Sequence, residues 1–305
     1  MKYLFLLITL SLSVNSFSQD LPAGQAVWLF SGKVIDKEKK TGIPYCVVKA
    51  KDRNEGVYTD ENGKFSFTSN TDSVKAFIFY CLGYARHEIS IAQFPQDSIT
   101  VELDKEYTNL KETVVVADKG KIRHKILGRK KAKHVSDCYQ KYGEEDAVFL
   151  HADHLKNGIL KQIFVYITNE GIPDTKFRIH VYEKDPVTNM PARELTDSNL
   201  IVHANNGNEW VMADLGDKRI HIGAGVFISV EWIAGHGNNG AALQSSKHAV
   251  VTSHNGQVLG LQRNYGVPYM YHRYPFRTDW KSNWDIDLNP ALCPMIYGTY
   301  TYTRK

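Results

Sequence analysis

The chain has 305 residues, 43% of them hydrophobic and 23% charged, with a mean hydropathy of −0.35; it is long enough for about two domains, and its composition can bury a sizeable core and does not require disorder. The net charge is +4, or +3 once residues 1–18 and their single cation Lys2 are removed. Eight cations between Lys119 and Lys133, with no acid among them, leave the rest of the mature chain at −5, which excludes a general basic surface for nucleic acid.

Met1-Lys2-Tyr3 precedes the apolar run Leu4 to Val14, and Ser16 and Ser18 occupy the small-residue positions before a cut at Gln19. Residues 1–18 therefore read as a secretory signal, too short for a membrane span. Gln19, not a cysteine, stands directly after the cut, so a lipoprotein has no acceptor thiol, and no later stretch approaches ~18 apolar residues. The expectation is an exported protein of the periplasm, outer-membrane surface or medium, with no transmembrane segment after processing.

From Val27 to about Ala117 short strands alternate with turns: Gly32 to Asp36, Tyr45 to Lys51, Val57-Tyr58, Phe65 to Phe67, Val74 to Tyr80, His87 to Ile91, Ile99 to Leu103 and Thr113 to Val116. Asp60-Glu61-Asn62-Gly63 is a hairpin signal, because Asn and Gly tolerate positive φ. No 3.6-residue period is sustained, so residues 26–117 are expected to form a small β-sandwich. Cys46 and Cys81 sit in apolar runs and read as buried thiols. A bridge between Cys138 and Cys293 is the alternative use of cysteine, and with no CxxC pair neither a zinc ribbon nor a thioredoxin-like site is indicated.

The ordered set G-K-V-I-D (32–36), G-I-P-Y (42–45), T-D-E-N-G-K-F-S-F (59–67), F-Y-C-L-G-Y (79–84) and L-K-E-T-V-V-V (110–116) resembles the carboxypeptidase D regulatory-like domain. The resemblance covers about 90 residues, and Tyr80-Cys81 departs from the smaller polar residue expected before the Leu-Gly-Tyr. It implies a transthyretin-like (prealbumin-like, Ig-like) sandwich with no catalytic role, common at the amino end of bacterial envelope proteins. Fewer than 190 residues follow Ala117, too few for a transporter barrel.

Residues 118–142 are polar and cationic and read as a basic linker, with contact to an anionic lipid or lipopolysaccharide surface through Lys119 to Lys133 as the alternative. From Ala147 β-patterning returns, at Ile159 to Ile167, Phe177 to Tyr182, Leu200 to Val202, Trp210 to Leu215, Ile220 to Ile222, Val226 to Ile233, Ala249 to Val251 and Met295 to Tyr302. In Phe177-Arg178-Ile179-His180-Val181-Tyr182 the apolar and polar-tipped residues fall on opposite faces. Residues 143–305 are expected to form a second, jelly-roll-like sandwich, making the chain all-β. Several of these strand segments resemble a β-sandwich found behind such regulatory-like domains in secreted bacterial proteins, a similarity that implies architecture and no reaction.

Candidate chemistry is sparse. His180 and Glu183 have the letters of a carboxypeptidase His-x-x-Glu pair, with His254 as a third ligand, but residues three apart on a strand face opposite ways. His87-Glu88 lacks the second histidine of a zincin. His151, Asp153 and His154 group three ligand types; with twelve histidines in the chain, such groups arise by chance, and no metal or other cofactor is assigned. No serine-hydrolase, P-loop or dinucleotide motif occurs, and Gly235 to Gly240 reads as a plain loop.

The strongest anomaly is aromatic. Tyr265, Tyr269, Tyr271, Tyr274, Phe276, Trp280 and Trp284 fall within 20 residues, with Arg273 among them, about threefold above the chain's average. Tyr269, Tyr271, Arg273, Trp280 and Trp284 are the candidate ligand contacts, suited to stacking on sugar rings or to a protein hot spot. The opposing reading makes these rings a satellite core folded over the sandwich. The chain is therefore read as a non-enzymatic binding protein of the bacterial envelope, with an envelope protein or glycan as partner. A carbohydrate-binding protein is the second reading, and a metal-dependent hydrolase using His151, Asp153 and His154 the third.

Overall fold

The computed structural model describes residues 27–70, 74–94, 98–106, 121–152, 158–233, 256–263, 270–282, 285 and 291–304. The expected signal segment and the strands at Thr113 to Val116 and Ala249 to Val251 lie outside them, as do Lys119, Asp153, His154, His254, Tyr265, Tyr269 and Trp284. Among the described residues the chain is built of strands, with one 3-10 turn at Ile91–Gln93. No described helix is long and apolar enough to cross a membrane.

The first seven strands are β1 (Val27–Asp36), β2 (Val47–Ala50), β3 (Gly56–Tyr58), β4 (Lys64–Asn70), β5 (Ala76–Tyr80), β6 (His87–Ser90) and β7 (Ile99–Leu103). They form two sheets, β4-β1-β7 and β3-β2-β5-β6. Alternate residues of both sheets, among them Val34, Val48, Phe77, Phe79, Val101 and Leu103, fill the space between, each such side chain contributing about 1.5–3 kcal/mol of burial. The turn expected at Asp60 to Gly63 is present, closed by Asp60 N–H to the Lys64 carbonyl at 2.7 Å and by Gly63 at φ +78°. Its flanking strands enter different sheets, so it is a corner of the sandwich rather than a two-strand hairpin. Fold and family motifs meet at Asp36: this buried carboxylate accepts the N–H groups of Glu38 and Lys39 and the Tyr84 hydroxyl at 2.9 Å, tying the G-K-V-I-D segment to the L-G-Y turn.

The second unit begins with β8 (Lys121–Gly128), β9 (Ser136–Tyr139), β10 (Glu145–His151), β11 (Ile159–Gly171), β12 (Phe177–Lys184), β13 (Pro191–Glu194), β14 (Leu200–Val202) and β15 (Glu209–Asp214). It continues with β16 (Ile220–His221), β17 (Gly225–Trp232), β18 (Gln257–Arg263), β19 (Met270–Arg273), β20 (Lys281–Ser282), β21 (Leu292–Pro294) and β22 (Ile296–Arg304). One sheet runs β13-β12-β17-β10-β19-β20 with β14 on β12; the other runs β21-β18-β11-β22-β8, with β15 and β16 on β11 and β9 on β18. Ile163, Val165, Ile179, Val181, Ile228, Val230 and Ile296 pack between them, as the alternation in Phe177 to Tyr182 and Val226 to Ile233 predicts.

Two expectations are corrected. The segment 118–142 reads as a basic linker in the sequence, but its described part, 121–142, is not a solvated one: β8 pairs with β22 from Lys121↔Arg304 to Gly128↔Tyr297, and β9 pairs with β18. Leu127 enters the second core while every other residue of β8 is exposed, and backbone pairing supplies what the composition lacks. The second unit thus begins at Lys121 rather than Gly143. A Cys138 to Cys293 bridge is also excluded. Leu261 pairs with Ser136 of β9 and with Pro294 of β21, so these strands flank β18 on opposite sides, about 9–10 Å apart, beyond the ~7 Å a disulfide can span.

Candidate functional site

The register of four adjacent strands creates one continuous row of charge. Arg178 on β12 stands opposite Glu231 on β17, Glu231 opposite Glu145 on β10, and Glu145 opposite Arg273 on β19. Side chains two residues along point the same way, so His180, Ser229, Ala147 and Tyr271 form a parallel row on that face. The opposite face carries Ile179 and Val230 into the core. The charged row therefore lies on the outer face of the seven-stranded sheet, yet Arg178, His180, Glu145 and Glu231 are all buried.

Two carboxylates directly opposite each other repel, and burying both is tolerated only with full compensation. Glu231 receives it from Tyr58 Oη at 2.5 Å, Arg178 at 3.0 Å and His180 Nε2 at 3.0 Å. Glu145 receives it from Tyr182 Oη at 2.9 Å, the Ser229 hydroxyl and the Arg273 guanidinium. His180 Nδ1 meets Glu194 at 2.8 Å, and Thr196 donates to the same carboxylate. Glu145, Glu194 and Glu231 thereby balance Arg178, His180 and Arg273. Burial alone would lower the His180 pKa, but the charges of Glu194 and Glu145 and its two carboxylate bonds raise it to about 10. Burial pushes Glu231 upward, and the Arg178 charge, with His180 and Tyr58, overrides it and holds this carboxyl well below its usual range.

The first sandwich covers this row. Tyr58 reaches Glu231 from β3, and the Arg178 guanidinium donates to the Tyr45 carbonyl. The Tyr58 N–H donates to Tyr142 Oη at 2.9 Å. Around these bonds Tyr45, Val47, Tyr58 and Ile233 form an apolar cluster with Tyr142, Ile201 and Phe276 packed against it. Lys176 pairs with Glu61 in a more exposed position. Tyr45 holds φ at 55°, a costly conformation for a bulky residue, at the position whose carbonyl receives Arg178.

Three of the sequence-predicted contact residues belong to this face, and they serve its packing. Tyr271 is buried edge-on against Phe227, with ring centroids 5.6 Å apart. Arg273 pairs with Glu145 and lies 4.6 Å over the Trp280 ring, whose edge meets Tyr182. Trp280 is half-buried. Tyr269 and Trp284 fall outside the described residues. His151 lies exposed at the end of β10 against Phe149, while Asp153 and His154 fall outside the described residues. Glu183 pairs with Arg193, away from His180, as strand periodicity requires.

Sequence reasoning missed Glu145, Glu194, Glu231, Arg178, Tyr58 and Tyr182. The available signal was a charged residue inside each of the apolar runs 145–150, 177–182 and 226–233. Glu145, His180 and Glu231 offer ligand atoms within 4.8 Å of one another, the spacing of a metal site. Both ring nitrogens of His180 already face carboxylates and two guanidiniums flank the trio, so this donor set suits an ion-pair lattice rather than a dication. Ser229 donates to Glu145, a carboxylate already held by Tyr182 and Arg273, and is itself fully buried, so its hydroxyl faces no substrate.

Residues 30–116 match the model of the CarboxypepD_reg-like domain, in agreement with the motif order. No curated protein sequence matches the chain. Among solved structures, it is similar to the clostridial cysteine protease Cwp84 after propeptide cleavage, at 10% identity and a TM-score of 0.40, covering 85% of this chain and 65% of that one. A second structure, of the cysteine protease and lectin-like domains of Cwp84 from Clostridium difficile, gives 10% identity, 0.39, and 86% and 59% coverage. BcpA, the major pilin subunit of Bacillus cereus, gives 10% identity, 0.19, and 88% and 69%. The chain spans less than two thirds of the length of either Cwp84 structure, and scores of this size leave function to be read from its own residues.

Proposed function

Taking residues 30–116 as a carboxypeptidase regulatory-like domain, we propose that this is an exported, non-enzymatic binding protein of the bacterial envelope whose two sandwiches act as one rigid ligand-presenting body. One observation carries this reading: the best-assembled set of ionisable groups among the described residues, Arg178, His180, Glu145, Glu194, Glu231 and Arg273, is committed to internal pairs, with Tyr45 and Tyr58 of the first sandwich closing over Arg178 and Glu231. A catalytic site keeps an acid, base or nucleophile facing its substrate; here each is neutralised by a partner, and Arg178 and Glu231 lie beneath the other sandwich. The signal-like segment 1–18 supports export. An envelope protein or glycan is the partner class.

A glycan reading through the aromatic segment keeps one support, the partial exposure of Trp280 beside Arg273. The experiment is a glycan and envelope-polysaccharide array with in-envelope cross-linking, run on the mature chain and on Trp280→Ala. Binding lost in Trp280→Ala with the fold intact selects the glycan partner; a cross-linked protein with a silent array selects the protein partner. Turnover of a peptide or glycan that disappears in Glu231→Gln overturns the non-enzymatic assignment.

A further inference from the structure

Cys46 and Cys81 lie one step beyond the paired ends of β2 and β5. Val47 is opposite Tyr80 and Val48 opposite Phe79, so the same antiparallel register sets Cys46 opposite Cys81. Lys51 N–H donates to the Ala76 carbonyl at 2.9 Å, which makes that pair hydrogen-bonded. Pairs alternate along an antiparallel ladder, and five steps on, Cys46 and Cys81 fall at a non-hydrogen-bonded position. The backbone agrees, because Cys46 N–H turns away to Thr59 Oγ1 at 2.8 Å and the Cys46 carbonyl accepts Thr59 N–H at 2.8 Å. Non-hydrogen-bonded pairs bring Cα atoms to about 4.5 Å with side chains converging, inside the window of about 4.4–6.8 Å that a disulfide needs. Cys46 Sγ reaches across to β5, donating to the carbonyl of Tyr80, the residue next to Cys81, at 3.4 Å.

We propose that Cys46 and Cys81 are a disulfide-forming pair that, once oxidised, staples β2 to β5 under the face that docks on the second sandwich. This goes beyond the binding reading and needs only a disulfide oxidant. Cys81 is the attacking sulfur. The neighbouring Cys46 thiol holds it down to about 7 against the effect of burial, helped by the Arg178 charge and by Asn199 Nδ2, which donates to Cys81 Sγ at 3.3 Å. Burial pushes Cys46 well up, the behaviour of the resolving partner. In the first step the Cys81 thiolate attacks one sulfur of oxidised glutathione, forming a mixed disulfide and releasing one glutathione thiolate. Cys46 then gives up its proton and attacks the Cys81 sulfur, the new bond forming as the second glutathione thiolate leaves. Two electrons pass from the cysteine pair to one glutathione disulfide, and the two thiol protons end on the two glutathione molecules. Both cysteines are buried, Cys81 beneath Asn199 of the second sandwich, so exchange proceeds while the domains are apart and is slow once they dock.

The test uses the full chain, refolded from urea in oxidised glutathione, in parallel with natively folded chain held in the same buffer. After acid quenching and unfolding without reductant, free thiols are labelled with N-ethylmaleimide and counted by intact mass. The expected result after refolding is two labels instead of four, on Cys138 and Cys293, with one cross-linked peptide pair joining Cys46 to Cys81. The natively held chain should acquire that link far more slowly. Four labels after refolding, an unresolved glutathione adduct on Cys81, or a link that uses Cys138 or Cys293 overturns the proposal. The double variant Cys138→Ser with Cys293→Ser should take up no label once oxidised; if it does not fold, the wild-type linkage map decides alone.

Discussion

Replacing Glu231 with Gln removes one negative charge from a buried set in which three carboxylates balance two guanidiniums and a protonated histidine. The amide oxygen can still accept from Tyr58, but the charge-assisted bonds from Arg178 and His180, both at 3.0 Å, are lost, at about 1.5–3 kcal/mol each. Arg178 is only 5% exposed, so its guanidinium cannot turn to water, and stranding one member of a buried pair costs about 3–5 kcal/mol. That is a large part of the about 5–15 kcal/mol typical of a folded domain. Urea unfolding at pH 7, followed by tryptophan fluorescence, should show a lower midpoint at constant slope. Adding Arg178→Met restores neutrality, so the double variant should lose at least about 2 kcal/mol less than the sum of the single losses. A Glu231→Gln loss below about 1 kcal/mol, or strict additivity, would refute the picture of a closed, dry lattice.

The raised pKa of His180 sets a pH dependence. Its contribution, up to about 5 kcal/mol, is fully present below about 6.5 and is lost as pH rises through about 10, so urea midpoints should fall from pH 6 to pH 9 and His180→Gln should flatten that slope. Tyr58→Phe leaves one oxygen of Glu231 without its donor and should cost about 1–3 kcal/mol, measured by urea unfolding, with faster proteolysis between the sandwiches. Leu127→Ala should cost about 2–5 kcal/mol and Ile126→Ala, whose side chain is exposed, within about 0.5 kcal/mol. Equal effects in thermal melts would return the basic segment to the status of a linker.

Much of the architecture is legible because alternation is local: Phe177 to Tyr182 and Val226 to Ile233 declare their buried faces within a few residues. The order of Asp36, Gly83 and Tyr84 is also readable, since these positions answer to one small fold. β8 is not, because only Leu127 of its eight residues is buried and an edge strand can be held by backbone pairing alone. β19 hides inside an aromatic cluster that looks like a binding loop. The charged row is illegible for another reason: Glu145, Arg178, Glu231 and Arg273 become neighbours only through the order of β12, β17, β10 and β19, which no short window of sequence contains. Cys46 and Cys81 were each readable as buried, but their adjacency follows from the β2 to β5 register.

Among the described residues β8 pairs on one side only, at the margin of the eight-stranded sheet, the kind of edge on which a foreign strand can be added and aggregation begins. Lys121, Arg123 and Lys125 stand along it, with Arg129, Lys130, Lys131 and Lys133 just beyond. A second copy approaching edge to edge would bring cation against cation in any register. The cluster that resembles a tether in the sequence thus works as a guard, keeping an open sheet from templating its own polymer.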